Sequence, residues 1–310
     1  MTRRKLFLLP LTLLPLAFGP GNPSAQLLRS AYAAPLAAPS RPLRVFHLGH
    51  SLVGRDMPAM LAQLAGAGHR YESQLGWGTS LRAHWEDDVP IKGFRIENAH
   101  PRFRPADQAI ASGDYDAVIL TEMVELRDAI RYYDSANYLT RWANLARAAD
   151  PDTRIYLYET WHRTDDPDGW LTRLDGDLAT LWEARLLAPD LRAGKGRSPI
   201  RVIPAGQVMA AFVRRVEAEG GIGPIRDRFD LFARQEDGTT DPIHINDFGA
   251  YLVALTHYAV LYHRSTAGLP HALRRADGQP AADPGTDAAR AMQEIVWQVV
   301  TAYDKTGVRQ

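Results

Sequence analysis

The chain has 310 residues, 45% of them hydrophobic and 23% charged, a balance that excludes intrinsic disorder, collagen and low-complexity protein. Thirty-six Lys and Arg match thirty-six Asp and Glu, so no basic field awaits a nucleic-acid backbone. With no cysteine, disulfides, thiolate metal sites, iron–sulfur clusters and cysteine nucleophiles are all excluded.

The N-terminus reads as a secretory signal peptide over residues 1–33. Arg3-Arg4-Lys5 supplies a positive start, Leu6 to Phe18 an apolar stretch, and Ala31-Tyr32-Ala33 a small-residue cleavage site. The apolar stretch is shorter than the ~18 residues of a membrane span. An exported chain, periplasmic or released and without a transmembrane segment once processed, is therefore expected. Thr2-Arg3-Arg4-Lys5-Leu6 also has the layout of a loose twin-arginine signal. Residues 34–42 are rich in Pro, Ala and Ser and read as a flexible leader, and 43–310 as one domain.

The domain then alternates strand and helix. Leu43 to Gly49 predicts a first strand, and Met57 to Ala67 a helix with apolar residues at 57, 60, 61 and 64. Strands follow at Tyr71 to Leu75 and at Asp116 to Thr121, the latter with the continuous apolar run of a strand buried on both faces. A helix over Tyr138 to Ala149 ends at Asp150-Pro151. A strand over Arg154 to Glu159 and a helix over Leu171 to Leu187 come next. Ile200 to Pro204 is a fifth strand, and helices span Val208 to Ala218, Phe248 to His263 and Asp287 to Tyr303. This alternation predicts an α/β fold with a mostly parallel sheet covered on both faces. The sites of such sheets lie at the carboxyl ends of the strands.

Two blocks carry chemistry. Gly49-His50-Ser51-Leu52 places a serine at the end of the first strand, near a helix start whose N–H groups suit a developing oxyanion. Asp241-Pro-Ile-His244 spaces a carboxylate and an imidazole so that one turn can hold them together, the carboxylate fixing the imidazole tautomer. Asn246 or Asp247 would cap the helix that follows. The serine lacks the final glycine of Gly-x-Ser-x-Gly, which argues against an α/β-hydrolase. His47 and His50 lack a clear third ligand, and Thr164 occupies the first ligand position of the calcium-like Asp165 to Gly169 segment, so no metal is expected.

Together these blocks resemble the SGNH, or GDSL-type, serine hydrolase superfamily, and the continuation His244-Ile-Asn-Asp-Phe-Gly249 is similar to that family as well. The resemblance covers roughly residues 43–263. It implies a three-layer α/β/α flavodoxin-like fold with a central five-stranded sheet, Ser51 as nucleophile, His244 as base and Asp241 as its orienting acid. It implies an oxyanion site from the N–H groups of Ser51 and of Gly78 or Gly76, in Gly76-Trp-Gly78-Thr-Ser-Leu81. No cofactor is implied. The chain departs from the family after the third strand. Thr121-Glu-Met-Val-Glu125 stands where an asparagine usually donates to the oxyanion. Either Thr121 donates, or Glu122 does so when protonated, or another group substitutes, or catalysis is weak; Glu122 could instead bind a substrate hydroxyl or orient a neighbour. This departure, and Ser80-Leu-Arg-Ala-His84-Trp85, resemble an uncharacterised branch of the superfamily. Trp161 and His162 leave the fourth strand at the same edge and would suit a sugar ring. The expected activity is hydrolysis of an ester on an acylated small molecule or glycan, an O-acetyl group on carbohydrate foremost. The alternatives are a lipase or thioesterase, or a protein of the same fold that binds carbohydrate or transfers acyl groups.

Overall fold

A computed structural model describes residues 23–194 and 197–309. The signal-like stretch from Arg3 to Phe18 lies outside the described residues. Five strands form the central sheet: β1 (Arg44–His50), β2 (Arg70–Gly76), β3 (Ala117–Leu120), β4 (Arg154–Glu159) and β5 (Arg201–Pro204). They lie in the order β2-β1-β3-β4-β5, and every neighbouring pair is parallel. This is the flavodoxin-like doubly wound order, whose direction of winding reverses beside β1, where a crevice opens at the strand ends.

Successive side chains of a strand point to opposite faces, so the buried strands feed two cores. Val45, Ala117, Ile119, Tyr156, Tyr158 and Ile203 pack with the helices Asp56–Ala65, Ala205–Glu219, Asp247–Tyr262 and Gly285–Ala302. Phe46, Leu48, Val118, Leu120, Ile155, Leu157 and Val202 pack on the other face with the helix Ser135–Ala149 and with Trp182, Leu186 and Leu187. The expected three-layer α/β/α architecture is thus what the chain forms. Among the described residues no helix is long and apolar enough to cross a membrane.

A second, two-stranded sheet was not foreseen. Strands β6 (Phe232–Arg234) and β7 (Thr240–Ile245) pair antiparallel, and β7 carries Asp241 and His244. The helix Asp247–Tyr262 begins directly after it. Asn246 caps that helix, its side-chain oxygen accepting from the N–H groups of Phe248 and Gly249 at 2.9 and 3.2 Å. Gly249 is required there: a Cβ would stand 2.6 Å from both the Leu231 carbonyl oxygen and the Ile245 Cβ. The absent side chain lets the hairpin seat against the helix start.

The segment expected as a cleavage site and a flexible leader is packed. Pro23–Ala31 is a helix, and Leu28 and Tyr32 are buried in the second core. The Tyr32 hydroxyl donates to the Ile200 carbonyl at 2.6 Å, and the Arg201 guanidinium lies 5.3 Å from its ring centre. Over 34–42, Leu36 N–H donates to Gly307 O at 2.9 Å, and Arg201 and Arg154 donate to the carbonyls of Ala34 and Ala37 at 3.1 and 2.7 Å. Those bonds pin a stretch whose composition reads as mobile. A cut after Ala33 would remove the helix and empty the Tyr32 site. Burying one such apolar side chain stabilises by roughly 1.5–3 kcal/mol. A chain starting at Ala34 is therefore expected to melt several degrees below one starting at Pro23. Equal melting curves would show that the helix adds nothing.

Buried histidines set the response to acid. His47 lies between the sheet and the helix Asp247–Tyr262, 6.0 Å from the His257 ring, and neither of its ring nitrogens has a hydrogen-bond partner among the described residues. Burial holds His47 well below the ordinary 6.5 and lowers His50, His69, His84, His257 and His263 to about 4. A lowered histidine contributes stability that is fully present above 6.5 and is lost as pH falls toward the folded value. Burial acts oppositely on Glu122 and Glu159, raising them to about 7 and about 8, so their contribution weakens as pH rises from 4.5. Six rings outweigh two carboxyls. The melting temperature is expected to peak near pH 6.5 and to fall steeply toward pH 4. His47→Leu should blunt the acid limb, and an acid limb of unchanged slope in that variant would contradict the assignment.

Candidate active site

The carboxyl ends of β1, β2, β3 and β4 open toward one edge, and β7 folds over it. Ser51 follows the last residue of β1. The His244 Nε2 lies 3.0 Å from Ser51 Oγ, and the His244 Nδ1 lies 3.0 Å from Asp241 Oδ2. The carboxylate accepts from Nδ1–H, which leaves Nε2 as acceptor of the serine proton.

A regular strand would point residues three apart to opposite faces. Asp241 overrides this locally: its Oδ1 accepts from the N–H groups of both Ile243 and His244 at 2.8 Å. That bend returns the imidazole to the carboxylate. Burial pushes the Asp241 carboxyl up, but the His244 and Ile243 N–H groups and the imidazole together hold it below the ordinary 3.8. It is therefore ionised at neutral pH and able to stabilise an imidazolium.

The turn bearing Ser51 is fastened from both sides. His50 Nε2 donates to the Glu122 carbonyl at 2.9 Å, and His84 Nε2 donates to the Gly49 carbonyl at 2.8 Å. The remaining His84 nitrogen accepts from Gln74 Nε2 at 2.9 Å, and Gln74 Oε1 accepts from Ala106 N–H at 2.9 Å. His84, in the short helix Leu81–Trp85, thus holds the Ser51 turn without touching the cleft.

Ser51 and His244 line a cleft of about 620 Å³ with His50, Trp77, Gly78, Glu97, Glu125, Arg163 and Asp166. Gly78 is exposed, and its N–H makes no hydrogen bond among the described residues. Glu125 and Asp166 are fixed from behind by Arg173, whose guanidinium reaches Glu125 at 2.7 Å, Asp166 at 2.6 Å and Asp177 at 2.7 Å.

Five expected site residues are elsewhere. Thr121 is fully buried, because its N–H still pairs with Leu48 O and its side chain packs against Gly49. It does not reach the cleft. Glu122 is also fully buried; its Oε1 accepts from Leu81 N–H at 3.2 Å and Met123 N–H at 2.8 Å. It ties the strand-end loops together beneath Ser51. Gly76 ends β2 opposite His50, and a Cβ there would meet Ile91 and Thr79 at 2.3 Å. Trp161 is buried and donates to the Ile243 carbonyl at 2.7 Å, bracing the His244 strand. His162 is buried with its Nε2 3.2 Å from Asp177. Trp77, which lines the cleft, sits between Gly76 and Gly78, a stretch in which the sequence points only to the glycines.

Among the described residues, no three His, Asp or Glu side chains converge as a metal site. No protein-family model and no curated protein matches the chain. Two solved structures are similar in shape. A DUF4886 family protein from Bacteroides uniformis shares 16% identity at a TM-score of 0.49, over 84% of this chain and 95% of its own. A protein described as a GDSL-like lipase from Parabacteroides merdae shares 13% identity at a TM-score of 0.42, over 72% of this chain and 96% of its own.

Proposed function

We propose that the protein is an exported serine esterase that removes an O-acyl group, foremost O-acetyl, from a carbohydrate. The observation that carries this reading is the aligned Asp241, His244 and Ser51 array, 3.0 Å at each step, at a cleft. The motif resemblance to SGNH hydrolases and the signal-like N-terminus support it.

Ser51 Oγ attacks the ester carbonyl carbon as His244 Nε2 takes its proton. Asp241 stabilises the imidazolium so formed. The N–H groups of Ser51 and Gly78 are the donors to the oxyanion. The tetrahedral intermediate collapses, the C–O bond to the alcohol breaks, and His244 returns the proton to the leaving oxygen. Water, activated by His244, then attacks the acyl-enzyme and releases the carboxylic acid and Ser51. No step uses a metal or an organic cofactor.

Treatment with a fluorophosphonate should add one phosphonyl group at Ser51, read by peptide mass spectrometry, and the untreated enzyme should release acetate from O-acetylated oligosaccharides. A protein that neither labels at Ser51 nor releases acetate would end this reading.

A further inference from the structure

Trp77 is a large aromatic side chain left 47% exposed, yet it is held from three directions. Its backbone N–H donates to the Lys92 carbonyl at 2.8 Å, and its Nε1 donates to Glu97 Oε1 at 2.7 Å. Gly93 presses on the indole: with φ +69°, it is a position where a Cβ would stand 2.4 Å from the ring atoms Cδ2 and Cε2. The 93–97 segment is itself clamped, since Arg55 donates to the carbonyls of Ile96 and Glu97. A side chain that merely filled a gap would be buried. Here the chain builds a cradle for the indole and leaves part of it open to the cleft that holds Ser51 and His244.

The remaining lining says what would rest there. Leu52, Val124 and Ile243 give it an apolar part, Glu97, Glu125 and Asp166 supply carboxylates, and Arg163 is held by Asp165 through two bonds of 2.7 and 2.9 Å. Carboxylates accept hydrogen bonds from hydroxyl groups and repel anions. An indole face takes the apolar face of a ring. The cleft volume falls within the roughly 300–1,000 Å³ of ordinary ligand pockets, far more than an acetyl group occupies. We infer that Trp77, oriented by Gly93 and Glu97, is the platform for a pyranose ring of a neutral glycan that carries the ester to Ser51. This rests on the esterase reading and specifies its substrate: a sugar without carboxylate groups, recognised on the alcohol side of the ester.

Two measurements test it. In the first, the Ser51→Ala protein is titrated calorimetrically with an O-acetylated xylo-oligosaccharide, alone and with Trp77→Ala added. Saturable binding that Trp77→Ala weakens about tenfold or more, and Trp77→Phe weakens less, supports the platform. It would do so even if the native protein hydrolysed nothing, so this arm is separable from the esterase reading. In the second, kcat/KM of native and Trp77→Ala enzyme is compared on that oligosaccharide and on p-nitrophenyl acetate. The ratio of the two should fall at least about tenfold, mainly through KM. An acetylated oligouronate should be a poorer substrate of the native enzyme. Equal losses on both esters, undiminished saccharide binding in Trp77→Ala, or a preference for the oligouronate would each overturn the proposal. So would a substrate preference for aromatic acyl esters, which would put the acyl group on the indole.

Discussion

Ser51→Ala is expected to lower kcat on p-nitrophenyl acetate by about 10⁴-fold or more while the melting temperature stays within a degree or two of the native protein. In the proposed mechanism the hydroxyl oxygen forms the acyl bond, and its removal leaves only the background supplied by the oxyanion donors and binding. His244→Ala should cost about as much, because the serine and the base act as one unit and their losses do not add. Asp241→Asn is the more informative change. The carboxylate accepts from His244 Nδ1 and from two backbone N–H groups. An amide in its place can present N–H to Nδ1 and favour the wrong tautomer, so a loss of up to about 10⁴-fold is expected with the fold intact. The pattern to look for is Ser51→Ala and His244→Ala at a common floor, with Asp241→Asn at or above it. Native-like turnover by Ser51→Ala would remove the serine from the mechanism.

The sheet was legible because both of its faces are buried. Short apolar runs such as Ala117 to Leu120 have few other uses in a chain of this composition, and each of the five expected strands is present within a few residues. Helices such as Phe94–Glu97, Ala106–Ala111 and Leu126–Tyr132 escaped notice because they are too short for a helical period to emerge. The hairpin of β6 and β7 escaped because Pro242 and the polar residues around Asp241 give no strand alternation. It is held by Asn246, whose side chain also donates to the Asp230 and Phe232 carbonyls at 2.7 and 3.1 Å. Around Tyr32, small residues flanking an aromatic look the same in a cleavage site and in a docked helix, and the contacts with Ile200 and Arg201, far along the chain, leave no local pattern.

The pairing of Asp241 with His244 was legible because it is local: one carboxylate can bond N–H groups two and three residues on and still meet the ring. Ser51 could be placed at the same edge from its strand. The supporting residues could not be sorted, because a position at a strand end fixes location and not side-chain direction. Trp161 and Trp77 both leave strand ends. One turns inward to brace Ile243 and the other outward beside Ser51. The difference is made by Gly93 and Glu97, which no local pattern links to Trp77. The absence of an asparagine after β3, where the resemblance implies one, also gains a structural setting. Glu122 takes that region's place in structure, joining Leu81 and Met123 by hydrogen bonds. Stabilisation of the oxyanion is left to backbone N–H groups in the proposed mechanism.

Arg173→Met is expected to destabilise the fold by about 3–5 kcal/mol at pH 7, read from denaturant unfolding, because it strands carboxylates that one guanidinium now satisfies. The Arg173 side chain is 3% exposed and bonds Glu125, Asp166 and Asp177 together. Burial pushes the carboxyls of Glu125 and Asp177 up, and Arg173, with His162 beside Asp177, brings both below their ordinary values. A lowered carboxyl contributes stability that is present above its unfolded value and is lost as pH falls through the folded one. In the variant that contribution disappears, and protonation relieves the stranded charges instead. The deficit should therefore shrink as pH falls from 7 to 4. Arg173→Lys keeps the charge but cannot fork to three partners, so it should fall between the two proteins. Glu125 and Asp166 belong to different strand-end loops and both line the cleft, so kcat/KM should drop in the variant even where it remains folded. A deficit below about 1 kcal/mol, or one that grows on acidification, would mean that these carboxylates do not depend on Arg173.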